Sequence, residues 1–153
     1  MMNADWKPPS VTVAAVIEQD SRFLVVEENY DGARVLNQPA GHLDPGESLV
    51  AACAREVLEE TAHRFTPESL VGIYRWYYAP RDITFIRFTF AGRLDGVEQG
   101  RALDKEIVAA HWYTRAELVA KAAMHRTPLV MACIDDYLAG KRYPLGVFSS
   151  AFA

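Results

Sequence analysis

Three glutamates crowd a short stretch of this chain whose apolar residues recur with the spacing of a helix. Across residues 48–62, apolar side chains placed at about 100° per residue gather on one side: Val50, Ala54, Val57, Leu58 and Thr61. Glu56, Glu59 and Glu60 stand at positions i, i+3 and i+4, so their carboxylates share one patch of the same helix. The pattern predicts an amphipathic helix that packs its apolar side into a core and turns its acids toward solvent or a cleft.

The clustered acids allow two interpretations, a solvated acidic face or a site for a divalent cation. Glu56 and Glu60 are like charges one turn apart, a spacing that destabilises a helix by roughly 0.2–0.5 kcal/mol. Arg55 can pair with Glu59, and Arg64 with a second acid, but these pairs do not offset three clustered carboxylates. A hard cation such as Mg²⁺ would, because it prefers carboxylate oxygens and keeps waters that a phosphate can displace. The pattern therefore favours a metal site.

The segment before this helix is rich in turn-forming residues. A short predicted strand over residues 35–38 ends at Pro39, which cannot donate a backbone hydrogen bond to a sheet. Residues 41–46, G-H-L-D-P-G, follow as a loop in which Gly41 and Gly46 allow a tight bend or a close approach to a ligand. The order is thus a strand, a glycine loop, and a helix with an acidic face.

The remaining chain alternates between strand-like and helix-like patterns. Apolar, β-branched or aromatic runs predict strands at residues 11–17, 23–26, 73–78, 83–91 and 108–113. The turn-rich residues 19–21 suggest a hairpin between the first two strands. Thr114 and Glu117 form a capping box for a helix that runs through residue 124, and Pro128 begins another that Gly140 ends. These elements predict an α/β fold with one mixed sheet covered by helices on both faces.

Composition excludes several classes of protein. A chain of 153 residues suits one domain. Its net charge is −4, so it has no excess of basic residues that would attract nucleic acids or anionic membranes. The apolar run at residues 11–17 is far too short to span a bilayer, and residues 1–10 lack the apolar core of a signal peptide. Cys53 and Cys133 are far apart in sequence, which favours two buried thiols in a reducing cytosol.

The acidic helix and its loop resemble the signature of the Nudix hydrolase superfamily, G-x5-E-x7-R-E-U-x-E-E-x-G-U, in which U is a bulky apolar residue. Gly41 and Glu47 occupy the first glycine and the first acid of this signature, and residues 55–57 supply its R-E-U triplet as R-E-V. Glu59 and Glu60 complete the pattern. Every charged position therefore matches at the required spacing.

Two positions depart from the signature. Ala62 stands where the second glycine belongs, and His63 where an apolar residue is usual. Because that glycine serves a helix C-terminus, where left-handed backbone is common, we expect this helix to run on or to end differently.

Most of the chain also resembles the NudJ branch of bacterial Nudix proteins. This likeness is carried by residues 37–43, 127–130 and 140–145 and by the first two predicted strands.

The resemblance implies a fold and a cofactor. The expected fold is a single Nudix domain over residues 1–153, with its core at residues 10–140 and a mixed β-sheet sandwiched between α-helices. The expected activity is hydrolysis of a phosphoanhydride, with Mg²⁺ or Mn²⁺ as the cofactor. Metals suit this chemistry because they neutralise phosphate charge and make a bound water more acidic.

The resemblance also implies roles for the residues of the signature. Glu56 and Glu60 would be the principal metal ligands, with Glu59 as a further ligand or a catalytic base. The carbonyl oxygen of Gly41 would complete the metal coordination. Arg55 would contribute to catalysis by orienting the acids through ion pairs.

A general base in this superfamily often lies outside the signature. Glu106, just ahead of the strand at residues 108–113, stands where some relatives place a base or a further metal ligand. Asp104 is the nearby competitor. An exposed loop acid without a catalytic role is an equally good interpretation of Glu106.

Candidate substrate-binding residues lie on the predicted strands. Trp76 and its neighbours Tyr74 and Tyr78 could stack on a flat heterocycle, although strand aromatics are more often core or surface-pair residues. Arg34 and Arg87 could bind phosphate, although a lone arginine on a strand is usually a solvated charge.

The NudJ-like resemblance implies a phosphatase that releases inorganic phosphate from nucleoside tri- and diphosphates and from thiamine-type pyrophosphates. One alternative is a Nudix pyrophosphohydrolase of another nucleotide, such as ADP-ribose or a dinucleotide. A third interpretation is a non-catalytic module that senses a nucleotide; such modules usually lose acids of the signature, and this chain retains them. The expected partner is a small phosphorylated substrate, with no nucleic acid or membrane, and the expected form is a cytoplasmic monomer or small homo-oligomer.

Overall fold

The computed structural model describes residues 5–149, which form nine β-strands and three α-helices. The strands are β1 (Ser10–Val16), β2 (Glu18–Gln19), β3 (Arg22–Tyr30), β4 (Ala33–Asn37), β5 (Ala40–His42), β6 (His63–Tyr78), β7 (Ile83–Val97), β8 (Ile107–Thr114) and β9 (Tyr143–Pro144). The helices are α1 (Leu49–Thr61), α2 (Arg115–Ala120) and α3 (Leu129–Leu138), and single 3₁₀ turns lie at Ala79–Arg81, Ala122–Met124 and Leu145–Val147. No helix in this part of the chain has the length and apolar character needed to cross a bilayer.

The strands build two sheets. The first has the order β5-β1-β7-β6-β9, with β1 parallel to β7 and the other neighbours antiparallel. In the second sheet β3 pairs with β2, β4 and β8, all antiparallel. The predicted α/β fold with a mixed sheet is confirmed, but the strands divide between two sheets rather than one. The apolar pattern of a strand indicates which faces are buried and not which strand lies beside it, so the sequence does not reveal this division.

Two tight turns shape the second sheet. The predicted hairpin turn is confirmed at Asp20 and Ser21, both with positive φ, but it joins β2 to β3, whereas β1 belongs to the first sheet. Asp31 and Gly32 form the second turn, with φ of 50° and 78°, and they join β3 to β4. Two-residue turns with positive φ at both positions match the twist of antiparallel strands, and Asp and Gly tolerate that backbone best.

Both faces of β1 are covered by helices. Val13 and Ala15 pack in one apolar cluster with Cys53 of α1, whereas Val16 packs in a second cluster with Cys133 of α3. Both cysteines are buried and free, as the sequence predicts. A strand buried on both faces needs a continuous apolar run, which is the pattern at residues 13–17.

Helix α1 is capped at both ends by hydrogen bonds. The Ser48 hydroxyl accepts a hydrogen bond from the Ala51 N–H at 3.1 Å. At the other end, Ala62 adopts the left-handed conformation (φ 60°, ψ 10°), and its N–H donates to the Leu58 carbonyl at 2.9 Å. The expectation that alanine here would change the helix end is therefore wrong. The chain instead tolerates a conformation that costs an alanine roughly 1–2 kcal/mol.

Ala62→Gly should raise the free energy of unfolding by about 1 kcal/mol, because glycine adopts this backbone without the steric conflict. Urea denaturation of the two proteins measures the difference. Ala51→Gly, at an exposed position inside α1, is the matched control and should destabilise the protein. Equal destabilisation by both substitutions would contradict the assigned strain.

Candidate functional site

A cavity of about 380 Å³ is lined by residues of both sheets, of α1 and α3, and of three loops. Its volume lies within the range of small-molecule sites, roughly 300–1,000 Å³. The lining combines acidic side chains, two arginines and several aromatic rings. This mixture suits a ligand that carries both a charged group and a flat apolar group.

Three carboxylates meet at this cavity. One oxygen from each of Glu56, Glu60 and Asp104 lies within 4.8 Å of the others. Glu56 and Glu60 extend from the packed side of α1 and are only 8% and 6% exposed. The Asp104 loop is tied to the same helix, because the Asp104 N–H donates to the Glu59 carbonyl at 3.0 Å. Glu56 and Glu60, which the signature predicts as metal ligands, are thus joined by Asp104. From the sequence alone, Asp104 is only an alternative to Glu106.

The electrostatics of this acidic group are unfavourable for a protein without a bound cation. Burial, with smaller contributions from Glu59 and Asp104, raises the pKa of Glu56 to about 7. Burial raises the pKa of Glu60 to about 9, and the nearby charges of Glu28, Glu56 and Asp104 act in the same direction. Oxygen donors packed this closely fit a hard divalent cation, which would compensate their negative charge.

Arg55 organises the acids beside this group. Its Nε and Nη2 donate to the two carboxylate oxygens of Glu47 at 3.0 and 2.6 Å. Its Nη1 donates to Glu56 at 2.8 Å and to Glu59 at 3.1 Å, and Nη2 also reaches the His42 carbonyl at 3.0 Å. Glu59 pairs with Arg55 but is not one of the three carboxylates that meet at the cavity. Arg55 also holds the loop against α1.

The two loop glycines serve different purposes. A Cβ added at Gly41 would overlap the carboxyl group of Glu56, so the first glycine is needed for close packing against the acid. Gly46 has open space around it but a φ of 82°, so the second glycine is needed for its backbone conformation.

Arg87 is a buried cation beside the cavity. It is 6% exposed, and its Nη1 and Nη2 donate to the side-chain oxygens of Gln38 and Asn37 at 3.0 Å each. Both acceptors are neutral, and within residues 5–149 Arg87 makes no ion pair. Burial lowers the pKa of Arg87 from its usual value. A buried guanidinium without an anionic partner is costly, so this position suits an anion supplied by a ligand.

Of the other predicted substrate-binding residues, two line the cavity and two lie outside its lining. Trp76 and Tyr78 line the cavity, and the buried indole N–H of Trp76 finds no hydrogen-bond partner among the described residues. Tyr74 instead donates its hydroxyl proton to Asp136 at 2.8 Å and is not part of the lining. Arg34 is exposed, lies 3.6 Å from a carboxylate oxygen of Glu27, and is also outside the lining.

Sequence reasoning missed one feature of the cavity wall. Arg126 donates to Glu28 at 2.9 Å, and its guanidinium lies over the ring of Tyr30 at 3.8 Å from the centroid. Glu28 and Tyr30 stand two residues apart on β3, so the alternation of a strand could have placed them on one face. Nothing local connects either residue to Arg126. Glu106, the predicted base, is exposed and lines the same cavity.

Known proteins are similar to this chain in sequence and in fold. The NUDIX domain family matches residues 6–133. The phosphatases NudJ of Shigella boydii serotype 4 (strain Sb227) and Escherichia coli (strain K12) are each 42% identical to the chain over 137 residues, which cover 90% of this chain and 88% of the relative. A solved NUDIX hydrolase from Nitrosomonas europaea is 57% identical, with a TM-score of 0.92 over 95% of this chain and 99% of its own. The chain therefore belongs to the Nudix hydrolase family and is an enzyme of its NudJ-like branch.

Proposed function

We propose that this hydrolase removes the terminal phosphate from nucleoside tri- and diphosphates and from thiamine-type pyrophosphates, with Mg²⁺ or Mn²⁺ as cofactor. The observation that carries this proposal is the meeting of three carboxylates within 4.8 Å at a cavity that also contains the unpaired cation of Arg87. The acids can hold a divalent cation and the arginine can bind a phosphate. The similarity to proteins described as phosphatase NudJ supports orthophosphate as the product.

The side chains of this site have separable tasks in the proposed reaction. Glu56, Glu60 and Asp104 would hold the cation, with the Gly41 carbonyl as a further oxygen donor. A divalent cation, when bound, neutralises phosphate charge and makes a water molecule more acidic near neutral pH. Arg55 would hold its acids in place before the substrate arrives. Such positioning, together with electrostatic stabilisation, provides most of the rate enhancement in phosphoryl transfer.

Glu106 is our proposed general base. It lines the cavity without belonging to the group of three carboxylates, so its oxygens remain available for a proton. Asp104 is less suited because it is one of the three, and Glu59 is less suited because it pairs with Arg55 at 3.1 Å.

The substrate side of the proposal combines Arg87 with an aromatic wall. Arg87 would bind a phosphate oxygen, while Trp76, Tyr78 and Tyr30 would contact the flat ring of a nucleoside or a thiamine-type group. Arg34 lies outside the lining and has no part in this proposal. The net charge of −4 and the two buried free thiols support a small-molecule hydrolase of the cytosol, acting as a monomer or small homo-oligomer.

Product analysis tests the proposal directly. The protein should release orthophosphate from nucleoside triphosphates, nucleoside diphosphates and thiamine pyrophosphate when Mg²⁺ is present, and a chelator should abolish that release. AMP or pyrophosphate as the product would favour a pyrophosphohydrolase of another nucleotide. Tight nucleotide binding without any product would favour a sensing module, and equal release with and without chelator would contradict a metal-dependent enzyme.

A further inference from the structure

The strand register gives the cavity an inner and an outer end. On β1, Thr12 lies between His42 of β5 and Arg87 of β7, and Gly41, next along β5, packs against the Glu56 carboxyl group. Phe85 lies two residues before Arg87, which places it about 7 Å further along the same face. The acids and Arg87 therefore occupy the inner end, and the aromatic side chains lie toward the outer end.

Two hairpins form this outer end. Trp76 of β6 lies opposite Phe85, and Tyr78 follows two residues later, at the tip where β6 turns into β7. On the second sheet, Tyr30 is the last residue of β3 before its turn into β4. The ring centroids of Tyr30 and Tyr78 are 6.3 Å apart, so side chains from the two hairpin tips meet across the mouth of the cavity.

Asp31 joins the two hairpin tips. Its carboxylate accepts a hydrogen bond from the Tyr78 hydroxyl at 3.2 Å and forms an ion pair with Arg81. The guanidinium of Arg81 in turn lies 5.6 Å from the centroid of the Tyr30 ring. The turn conformation accounts for Asp, Asn or Gly at this position, but it does not require contacts with the opposite hairpin.

We propose that Asp31 is a positioning residue for recognition of the non-phosphate part of the substrate. By holding Tyr78 and Arg81, it fixes the spacing between the rings of Tyr78 and Tyr30, against which a heterocycle would lie. This inference rests on the proposed function, because it assumes that the phosphates bind at the inner end. It identifies the substrate class as phosphoanhydrides that carry a planar ring, as opposed to inorganic polyphosphates.

The chain offers a matched control in Asp82. Like Asp31, it lies at a hairpin tip with positive φ, at 51°, and it bridges a tyrosine and a cation. Its partners are the Tyr77 hydroxyl at 3.0 Å and the ammonium group of Lys7. Tyr77 is 48% exposed and is not part of the cavity lining. The two aspartates thus make the same kind of contact, but only Asp31 makes it to a ring that lines the cavity.

The experiment compares Asp31→Gly with Asp82→Gly, since glycine removes each carboxylate without straining the left-handed backbone. Titration calorimetry with Mg²⁺ measures the Kd of a non-hydrolysable nucleoside triphosphate analogue and of methylenebisphosphonate, which has neither a hydrolysable anhydride nor a planar ring. Asp31→Gly should weaken binding of the nucleotide analogue about fivefold, which equals about 1 kcal/mol, and should leave the Kd of the bisphosphonate within about twofold. Asp82→Gly should leave both ligands within about twofold.

Steady-state kinetics provides the second readout. For a nucleoside triphosphate, Asp31→Gly should raise KM and leave kcat within about twofold, and Asp31→Asn should have a smaller effect because its amide oxygen can still accept from Tyr78. Equal weakening of both ligands by Asp31→Gly, no weakening of either, or equal effects of the two glycine variants would overturn the inference. Failure of the proposed function is distinguishable, because it appears as missing phosphate release by the wild-type protein, whereas the binding ratio needs no turnover.

Discussion

Glu60→Gln should lower kcat for phosphate release by roughly 10²–10³-fold, the scale seen when an enzyme loses one electrostatic contributor to its transition state. Glu60 is 6% exposed, lies within 4.8 Å of two other carboxylates, and accepts the Ala40 N–H at 3.0 Å. Glutamine keeps the size of the side chain and an acceptor for that N–H, but it removes the negative charge that would hold a cation. The comparison is made at saturating Mg²⁺, with circular dichroism to confirm the fold.

The same substitution should stabilise the protein in the presence of chelator, most strongly at alkaline pH. Burial raises the pKa of Glu60 to about 9, well above its unfolded value of about 4.3. The stability linked to its protonated form is fully present below the unfolded pKa and is lost as pH rises through the folded pKa. Thermal unfolding at pH 5 and pH 9 should therefore show a smaller decrease in Tm for Glu60→Gln than for wild type.

Glu68→Gln is the control for both measurements, since Glu68 is an exposed acid of β6 paired with Arg93 at 3.2 Å. It should leave kcat and the pH dependence of Tm unchanged. Near wild-type turnover of a folded Glu60→Gln protein would refute the assignment of Glu60 to the metal site.

Arg87→Met should lower kcat/KM by about 10–100-fold, mainly by raising KM. Hydrogen bonds to charged groups contribute about 1.5–3 kcal/mol, and Arg87 is proposed to make such bonds to phosphate. Methionine fills a similar volume. The substitution leaves the Asn37 and Gln38 oxygens without their donor, which destabilises the protein, but it also removes a buried, unpaired cation, which offsets part of that loss. Initial rates over a range of nucleoside triphosphate concentrations separate KM from kcat.

Two further variants sharpen this test. Arg87→Lys should retain part of the affinity, because it keeps the charge but loses the planar pair of donors. Arg34→Met removes an exposed arginine that does not line the cavity, and it should leave KM unchanged. An unchanged KM in Arg87→Met, or an equal effect of Arg34→Met, would contradict phosphate binding by Arg87.

Strand boundaries show where local patterns become unreliable. β6 runs from His63 and β7 extends to Val97, far beyond the predicted strands at residues 73–78 and 83–91. Pairing between β6 and β7 shifts register near Pro67 and near Gly72. Each shift interrupts the alternation of inward and outward residues, so the extra strand length leaves no regular pattern in the sequence. By contrast, the capping box of Thr114 and Glu117, which depends on neighbours alone, is confirmed at the start of α2.

The sequence by itself determined the family, the helix α1 and the common location of Glu56 and Glu60, because helical spacing places residues four apart on one face. Only the tertiary structure decided which other groups join them. Asp104 reaches the two glutamates because its loop is hydrogen-bonded to α1. Arg87 of the first sheet meets Asn37 of the second sheet and Gln38, which follows it. Contacts between segments distant along the chain depend on how the sheets pack, and no local periodicity records that packing.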